Sequence, residues 1–215
     1  MRGSTSFLFG VIPFLIMKPF LIGLCGLSGA GKSTLARHLE SQGGVKRFRF
    51  DAFYKDEADC PKVEGITHWD LPESLLLDQV YEALCELKEG HEIFVPIYEK
   101  SPFNRRVGRA LFHPSPVIFA EGLHLFADPR LRELMDLRLW LDVSEETALA
   151  RKRERDSWFD VDYYQRFALP AAREHVLPKR VFAHAFINGE GGLREVAAQT
   201  DALLQKYLVR GTVSA

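Results

Sequence analysis

The sequence predicts an α/β domain built on a mostly parallel sheet with helices on both faces. Two observations support this prediction. Short apolar runs alternate with amphipathic stretches of helical spacing, and no internal repeat or low-complexity linker interrupts them. Because parallel neighbours need a crossover connection, this alternation favours a parallel sheet covered by its crossover helices. The length of 215 residues fits one domain of this class.

The first half of the chain contains three predicted strands and two predicted helices. Apolar or alternating runs predict strands at 20–25, 45–50 and 93–98. Helical spacing of apolar residues predicts helices at 32–41 and 74–88, stopped by Gly43-Gly44 and Gly90. Between them, residues 52–72 hold Pro61, Gly65 and Pro72 and are predicted to form a long functional loop.

The second half repeats the alternation. Apolar runs predict strands at 117–120, 137–143 and 185–187, and periodic stretches predict helices at 144–155, 162–176 and 193–208. The helix at 144–155 has the clearest start, because Ser144 is a good cap and acidic residues follow it.

Charge and cysteine content exclude some classes of protein. The formal net charge is −1, from 28 basic and 29 acidic residues, so no global basic field indicates nucleic-acid or membrane binding. The three cysteines form no CxxC pair and are odd in number, which favours reduced thiols in a cytoplasmic protein.

The N-terminal residues 1–16 form an apolar extension whose role the sequence leaves open. The run from Phe7 to Met17 resembles part of a signal peptide or membrane anchor. However, Pro13, Lys18 and Pro19 interrupt it, it is too short to span a bilayer, and no small-residue cleavage site follows. We interpret it as an extension or an extra packing segment, with Met17 a candidate natural start and residues 17–215 a single domain.

A phosphate-binding loop follows the first strand. The sequence GxxxxGKS fits the Walker A pattern, with an apolar strand before it and an amphipathic helix after it. The predicted contacts to a nucleoside triphosphate, most simply ATP, come from Gly26, Leu27, Ser28, Gly29, Ala30, Gly31, Lys32, Ser33 and Thr34. Lys32 is expected to reach the β- and γ-phosphates, and the Ser33 hydroxyl to ligate Mg²⁺.

Two acidic residues at strand ends suggest what happens to the phosphate. Asp51 and Glu121 each follow an apolar strand, at the sheet edge where open α/β sheets bind ligands. Phosphoryl transfer to a hydroxyl needs a proton acceptor and charge compensation. We expect Asp51 to act as the base and Glu121 to serve the metal; the alternative is that either residue caps a loop or a helix.

The ordered segments GLSGAGKST, DAFYKD, HWDLPESL, PIYE and VIFAEGLHLF resemble those of the uridine kinase-like nucleoside kinases. The resemblance runs from about Pro19 to Gly189. It implies a three-layer P-loop NTPase fold with an arginine-bearing lid. It also implies Mg²⁺-assisted transfer of the ATP γ-phosphate to the 5′-hydroxyl of a ribonucleoside, uridine or cytidine.

The same resemblance implies roles for individual residues. Asp51 would be the base toward the ribose 5′-hydroxyl, Asp70 would hold the ribose hydroxyls, and Tyr98 would contact the nucleobase, with Tyr54 a further acceptor contact. The residues implied for the lid over the phosphates are Arg151 and Arg155, followed by Asp156.

Each of these residues has a structural alternative. Asp70 could cap the helix that begins near Glu73, and Tyr98 could be a core residue. The charged run from Arg151 to Arg155 could be a solvated helix face. The further acceptor-site candidates Arg105 and Arg106 could equally be solvated loop arginines.

Two departures from the family pattern leave the acceptor open. The histidine that usually follows the base-contacting tyrosine is absent, and the segment there is Ser101-Pro102-Phe103. The arginine-glycine pair that usually follows the lid is replaced by Ser157-Trp158-Phe159-Asp160. The segment 51–75 also resembles nicotinamide riboside kinases, which carry out the same chemistry on another nucleoside.

Other classes of P-loop protein fit less well. A GTPase would need an NKxD segment, which the sequence lacks, and a transport ATPase would need its own signature motif. A non-catalytic nucleotide-binding switch remains an alternative because of the altered lid. The expected partner is a small-molecule nucleoside, without nucleic acid or membrane, and the sequence leaves a homo-oligomer open.

Overall fold

The computed structural model describes residues 18–99 and 105–211, with only the backbone of Glu99, Arg105, Arg106 and residues 209–211. The predicted extension at 1–16, the candidate start Met17 and the segment Ser101-Pro102-Phe103 lie outside the described residues.

A five-stranded parallel sheet forms the centre of the molecule. Its strands are β1 (Phe20–Cys25), β2 (Val45–Arg49), β7 (Val117–Glu121), β8 (Leu137–Asp142) and β9 (Ala185–Asn188), in the order β2-β7-β1-β8-β9. All four strand pairs are parallel. Every residue of β7 is buried, so both faces of the sheet are covered by other elements. The predicted α/β class is confirmed.

Among the helices, two pairs are in contact. The helices are α1 (Lys32–Ser41), α2 (Leu77–Lys88), α3 (Pro129–Leu134), α4 (Glu145–Arg155), α5 (Val161–Tyr163), α6 (Leu169–Ala171) and α7 (Leu193–Gly211). Helix α1 contacts α7, and α2 contacts α3. Apolar residues of α1 and α2 are fully buried at helical spacing, which agrees with the amphipathic pattern that predicted them.

Two hairpins lie outside the central sheet. Strands β3 (Lys62–Val63) and β4 (Ile66–Thr67) pair within the predicted loop 52–72, joined by Glu64 and Gly65 at positive φ. Strand β5 (Ile93–Glu99) pairs antiparallel with β6 (Arg105–Phe112), which the sequence analysis did not predict. In the β6 sequence, RRVGRALF, three arginines and a glycine interrupt the apolar residues, and glycine is a poor strand former, which explains the omission.

Two predicted helices differ in detail. Helix α2 begins at Leu77 rather than Ser74, because Pro72–Ser74 forms a 3₁₀ turn and Leu75 bridges to Tyr54. The predicted helix at 162–176 is continuous in residues 161–176 but contains two π-helical turns. Pro170 lies between these turns and has no N–H for a regular α-helical hydrogen bond.

Among the described residues, no helix combines the length and hydropathy needed to cross a bilayer. In the same part of the chain, no group of three histidine, cysteine or carboxylate side chains is arranged to hold a metal. Cys25, Cys60 and Cys85 are all free thiols.

A close contact at Gly122 gives the first testable prediction. A Cβ there would lie 2.6 Å from side-chain atoms of Phe50, which is fully buried. We therefore expect Gly122→Ala to lower the free energy of unfolding by about 1–3 kcal/mol through overpacking, measured by thermal or denaturant unfolding.

The matched control is Gly192→Ala, because a Cβ at Gly192 meets no atom within 4 Å. Equal stability of the two variants would contradict the proposed contact between Gly122 and Phe50.

Candidate active site

A cavity of about 970 Å³ opens at the carboxyl-terminal edge of the sheet. It is lined by residues from the phosphate loop, from the ends of β2 and β7, from the β3–β4 region and from the segment after α4. The predicted site residues that line it are Ser28, Gly29, Gly31, Lys32, Ser33, Thr34, Asp51, Tyr54, Asp70, Tyr98, Glu121 and Arg155. The structure thus brings both predicted halves of the site into one cavity.

The phosphate loop depends on a close backbone approach at Gly29. Its φ is +90°, and a Cβ there would lie 2.2 Å from the Ala148 carbonyl oxygen of α4. The loop ends at Gly31, which begins α1 without any side-chain cap, and no acidic residue occupies the first turn. The first N–H groups of α1 and its positive dipole end are therefore left for an anion.

Lys32 lies at the start of α1 and is buried. Its ammonium donates to the carbonyl oxygens of Gly26 and Leu27, both at 2.8 Å. These bonds hold the positive charge inside the loop. Gly26, Leu27 and Ala30 do not line the cavity, and Gly26 and Leu27 contribute through these backbone contacts.

Glu121 is the buried centre of the site. One of its carboxylate oxygens accepts from the Ser33 hydroxyl at 3.1 Å, and the other accepts from Arg47 at 2.5 and 3.1 Å. Burial raises the pKa of Glu121 above its ordinary value, and the nearby charge of Asp51 adds to the increase, while Arg47 opposes it. Through its bonds to Ser33 and Arg47, the Glu121 carboxylate therefore links β7 to the phosphate loop and to β2.

Asp51 lies two residues beyond the end of β2, in a 3₁₀ turn formed by Phe50–Phe53. The register pairs Arg49 with Glu121, so the Asp51 turn follows directly at the edge where Glu121 ends β7. Asp51 lines the cavity together with Ser33 and Glu121. Asp51 therefore shares one cavity with the phosphate loop.

Aromatic side chains line the same cavity as Asp51. The Tyr54 ring lies 6.1 Å from Trp69 and 5.9 Å from Tyr98. Tyr98 is buried in the core, as the structural alternative proposed, and it also lines the cavity. The backbone of Arg106 pairs with Tyr98, but the Arg106 side chain lies outside the described part of the chain.

Asp70 is buried at the cavity wall and does not cap a helix. The two helical elements that follow it start from Leu71 and Leu76. Instead, Asp70 Oδ2 accepts from the Tyr163 hydroxyl at 3.0 Å, and its main-chain carbonyl contacts His124 Nε2 at 2.9 Å. Burial lowers the pKa of His124 to about 4, so this imidazole is neutral at physiological pH and donates through Nε2.

The two predicted lid arginines lie in different places. Arg155 lines the cavity and makes two 2.7 Å bonds to Asp156. Arg151 does not line the cavity: its guanidinium donates to the Ala30 carbonyl at 3.2 Å and to the Gly189 carbonyl at 2.8 Å. In this structure Arg151 braces the phosphate loop, and its contact with phosphate stays a prediction.

Several cavity residues were missed by the sequence analysis. Lys152 lies on the cavity side of α4, 3.5 Å from the Ser28 hydroxyl, within the charged run already noted. Arg47 belongs to the predicted strand VKRFRF, in which basic residues alternate with apolar ones. These basic residues precede Asp51 and could have been taken as candidates for the site. Tyr163 had no local signal, because its role depends on contacts 93 and 94 residues away.

Comparisons with known proteins find related sequences. The model of the phosphoribulokinase/uridine kinase family matches residues 21–159. The uridine kinase of Brevibacillus brevis is 32% identical over 191 residues, covering 84% of this chain and 89% of the relative. The uridine kinase of Leuconostoc citreum is 31% identical over 196 residues, covering 84% and 92%.

Solved structures of kinases share the fold. A putative fructose transport system kinase from Silicibacter sp. TM1040 matches with a TM-score of 0.59 and 21% identity, covering 79% of this chain and 90% of that one. A possible uridine kinase from Bacillus stearothermophilus matches with a TM-score of 0.52 and 22% identity, covering 79% and 88%.

The Arg47–Glu121 pair gives a prediction about stability and pH. Arg47→Gln removes the cation that is bonded to the buried Glu121 carboxylate and so raises the pKa of Glu121 further. A carboxyl group whose pKa is raised by folding stabilises the folded state at low pH. That contribution is lost as the pH rises through the pKa that the group has in the folded state. The variant should therefore lose stability mainly toward neutral pH, by about 3 kcal/mol, in unfolding measured from acidic to neutral pH.

The control is Arg49→Gln on the same strand, where the side chain is exposed and forms no ion pair within the described residues. A loss from Arg47→Gln that is independent of pH, or matched by the control, would contradict this account.

Proposed function

Because the chain belongs to the phosphoribulokinase/uridine kinase family and is an ATP-dependent phosphotransferase, we propose that it is a nucleoside kinase. In this proposal it transfers the ATP γ-phosphate to the 5′-hydroxyl of a ribonucleoside, uridine or cytidine. The observation that carries the proposal is that the phosphate loop, Asp51, Asp70 and the aromatic side chains line one cavity.

The donor half would hold ATP through electrostatics. The open N-terminus of α1 and the Lys32 ammonium are suited to the β- and γ-phosphates. Lys152 and Arg155 bring further positive charge from α4 at the cavity wall. Charge placed around the transferring phosphoryl group stabilises the transition state more than the ground state.

The oxygen atoms of Ser33 and Glu121 fit a magnesium ion carried in with the nucleotide. A hydroxyl and a carboxylate 3.1 Å apart are hard oxygen donors of the kind that Mg²⁺ prefers. Such an ion would offset negative charge on the β- and γ-phosphates. Arg47 meanwhile holds the Glu121 carboxylate in one orientation.

The acceptor half would present its 5′-hydroxyl to Asp51. In this assignment Asp51 accepts the proton of that hydroxyl as its oxygen attacks the γ-phosphorus and ADP leaves. Asp70 would accept from a ribose hydroxyl, and Tyr98, Tyr54 and Trp69 would contact the nucleobase through their rings.

We further propose that residues 17–215 act as one kinase domain in the cytoplasm, on small molecules rather than nucleic acid. One hydrophobic core links strand β1 to helix α7, which supports a single domain. The free cysteines and the use of ATP support a cytoplasmic location.

The Asp51 assignment gives a direct test. We expect Asp51→Asn to leave ATP binding unchanged but to cut uridine-dependent formation of ADP and uridine monophosphate by about 10²–10⁴-fold, because a positioned base is lost. Nucleotide binding is measured by calorimetry, and both products are measured by chromatography.

The comparison variant is Lys32→Ala, which should weaken ATP binding as well as transfer. Undiminished turnover in the Asp51→Asn variant would remove Asp51 from the mechanism, and normal kinetics after Lys32→Ala would contradict the donor site.

A further inference from the structure

The segment between α4 and α5 brings to the cavity an aromatic side chain to which the proposed function gives no role. The Phe159 N–H donates to the Asp156 carbonyl at 3.0 Å, which closes a tight turn with Ser157 and Trp158 at its centre. Residues 156–159 form this α4–α5 turn, and Asp156, Trp158 and Phe159 line the cavity. The turn is also one of the two places where the sequence departs from the family pattern.

Both ends of the α4–α5 turn are held by hydrogen bonds. The Asp156 N–H donates to the Lys152 carbonyl at 3.0 Å, and the buried Asp156 carboxylate accepts two 2.7 Å bonds from Arg155. Just beyond the other end, the Asp160 side chain caps α5. The backbone that carries Trp158 is therefore held at the cavity wall, so little further ordering is needed when a ligand binds.

The Trp158 indole has no partner of its own among the residues that the structure describes. Trp158 is 59% exposed, and within those residues its ring forms no hydrogen bond, ring contact or cation–π contact. The other two tryptophans differ, because Trp140 is buried in the core and the Trp69 ring lies 6.1 Å from Tyr54. Covering the exposed indole with an apolar or aromatic surface would be favourable.

The ligands proposed for the cavity carry surfaces of the matching kind. ATP and a ribonucleoside each contain one planar heteroaromatic base, and the face of a tryptophan ring stacks on such a base. The residues that precede the turn at this wall, Lys152 and Arg155, are charged and suit phosphate oxygens. Trp158 adds to the same wall the aromatic surface that a base needs.

Resting on the nucleoside kinase function proposed above, we propose that Trp158 is a base-stacking residue of the cavity. Its indole stacks on the planar base of a bound substrate, which is either the adenine of ATP or the base of the acceptor. Every base has a π-face, so such a stack tolerates different bases. Trp158 therefore contributes affinity for a base rather than selection among bases.

The test replaces Trp158 by leucine in the full chain and measures the affinities for MgATP and for uridine separately. Each ligand is compared with one that lacks the base, tripolyphosphate for ATP and ribose for uridine, the latter as an inhibitor of uridine phosphorylation. Loss of the stack should weaken the ligand whose base is bound by about 5–100-fold. Its base-free partner should change by less than about twofold, because the stack is absent there.

Two further measurements separate stacking from a general structural effect. The KM for the stacked ligand should rise while kcat stays within about twofold, because the stack is present in both the ground state and the transition state. Tryptophan fluorescence should change when that ligand binds to the wild type, and this change should be smaller in Trp158→Leu. Trp158→Tyr should restore most of the affinity, because a phenol ring also stacks.

The matched control is Phe94→Leu, because Phe94 is an aromatic residue that is 65% exposed and does not line the cavity. It should keep the wild-type affinities, and thermal unfolding checks that every variant is folded. Unchanged affinity for both MgATP and uridine in Trp158→Leu, or equal losses with and without the base, would overturn the inference while leaving a nucleoside kinase. Phosphorylation of no nucleoside, with the Trp158 effect on MgATP present, would overturn the proposed function alone.

Discussion

The position of Glu121 between β1 and β2 is the constraint on which the site depends. The parallel register places Glu121 opposite Leu24 of β1 on one side and opposite Arg49 of β2 on the other. Because parallel strands end at the same edge, the phosphate loop after β1 and the Asp51 turn after β2 must lie on either side of this carboxylate. The fold itself thus brings the donor and acceptor halves together.

This arrangement places two carboxylates close together, and the protein compensates for their charge locally. Burial and the charge of Asp51 both favour the protonated form of Glu121, whereas Arg47 and Lys32 favour its ionised form. The same cations keep Glu121 available as an oxygen donor near Ser33. An active site of this kind sacrifices some stability for charge that is already in place before the substrates bind.

The sequence predicted most of the fold because the buried parallel strands have strong local signals. Strand β1 and helix α1 were predicted with their observed boundaries, since an apolar run and a phosphate loop define both ends. Strand β6 and the start of α2 were not, because neither has a distinctive local pattern. Local pattern alone could not place side chains such as Arg151, whose guanidinium binds backbone carbonyls 38 and 121 residues away.

The most direct test of the central claim is an acceptor panel with the wild-type protein. Uridine, cytidine and nicotinamide riboside are incubated separately with ATP and Mg²⁺, and ADP and phosphorylated product are measured beside a reaction without acceptor. The account predicts ADP only when a nucleoside is present, in a one-to-one ratio with its 5′-monophosphate, and fastest with uridine or cytidine. ADP release at the same rate without any acceptor would contradict a two-substrate site, and a preference for nicotinamide riboside would contradict the proposed pyrimidine acceptor.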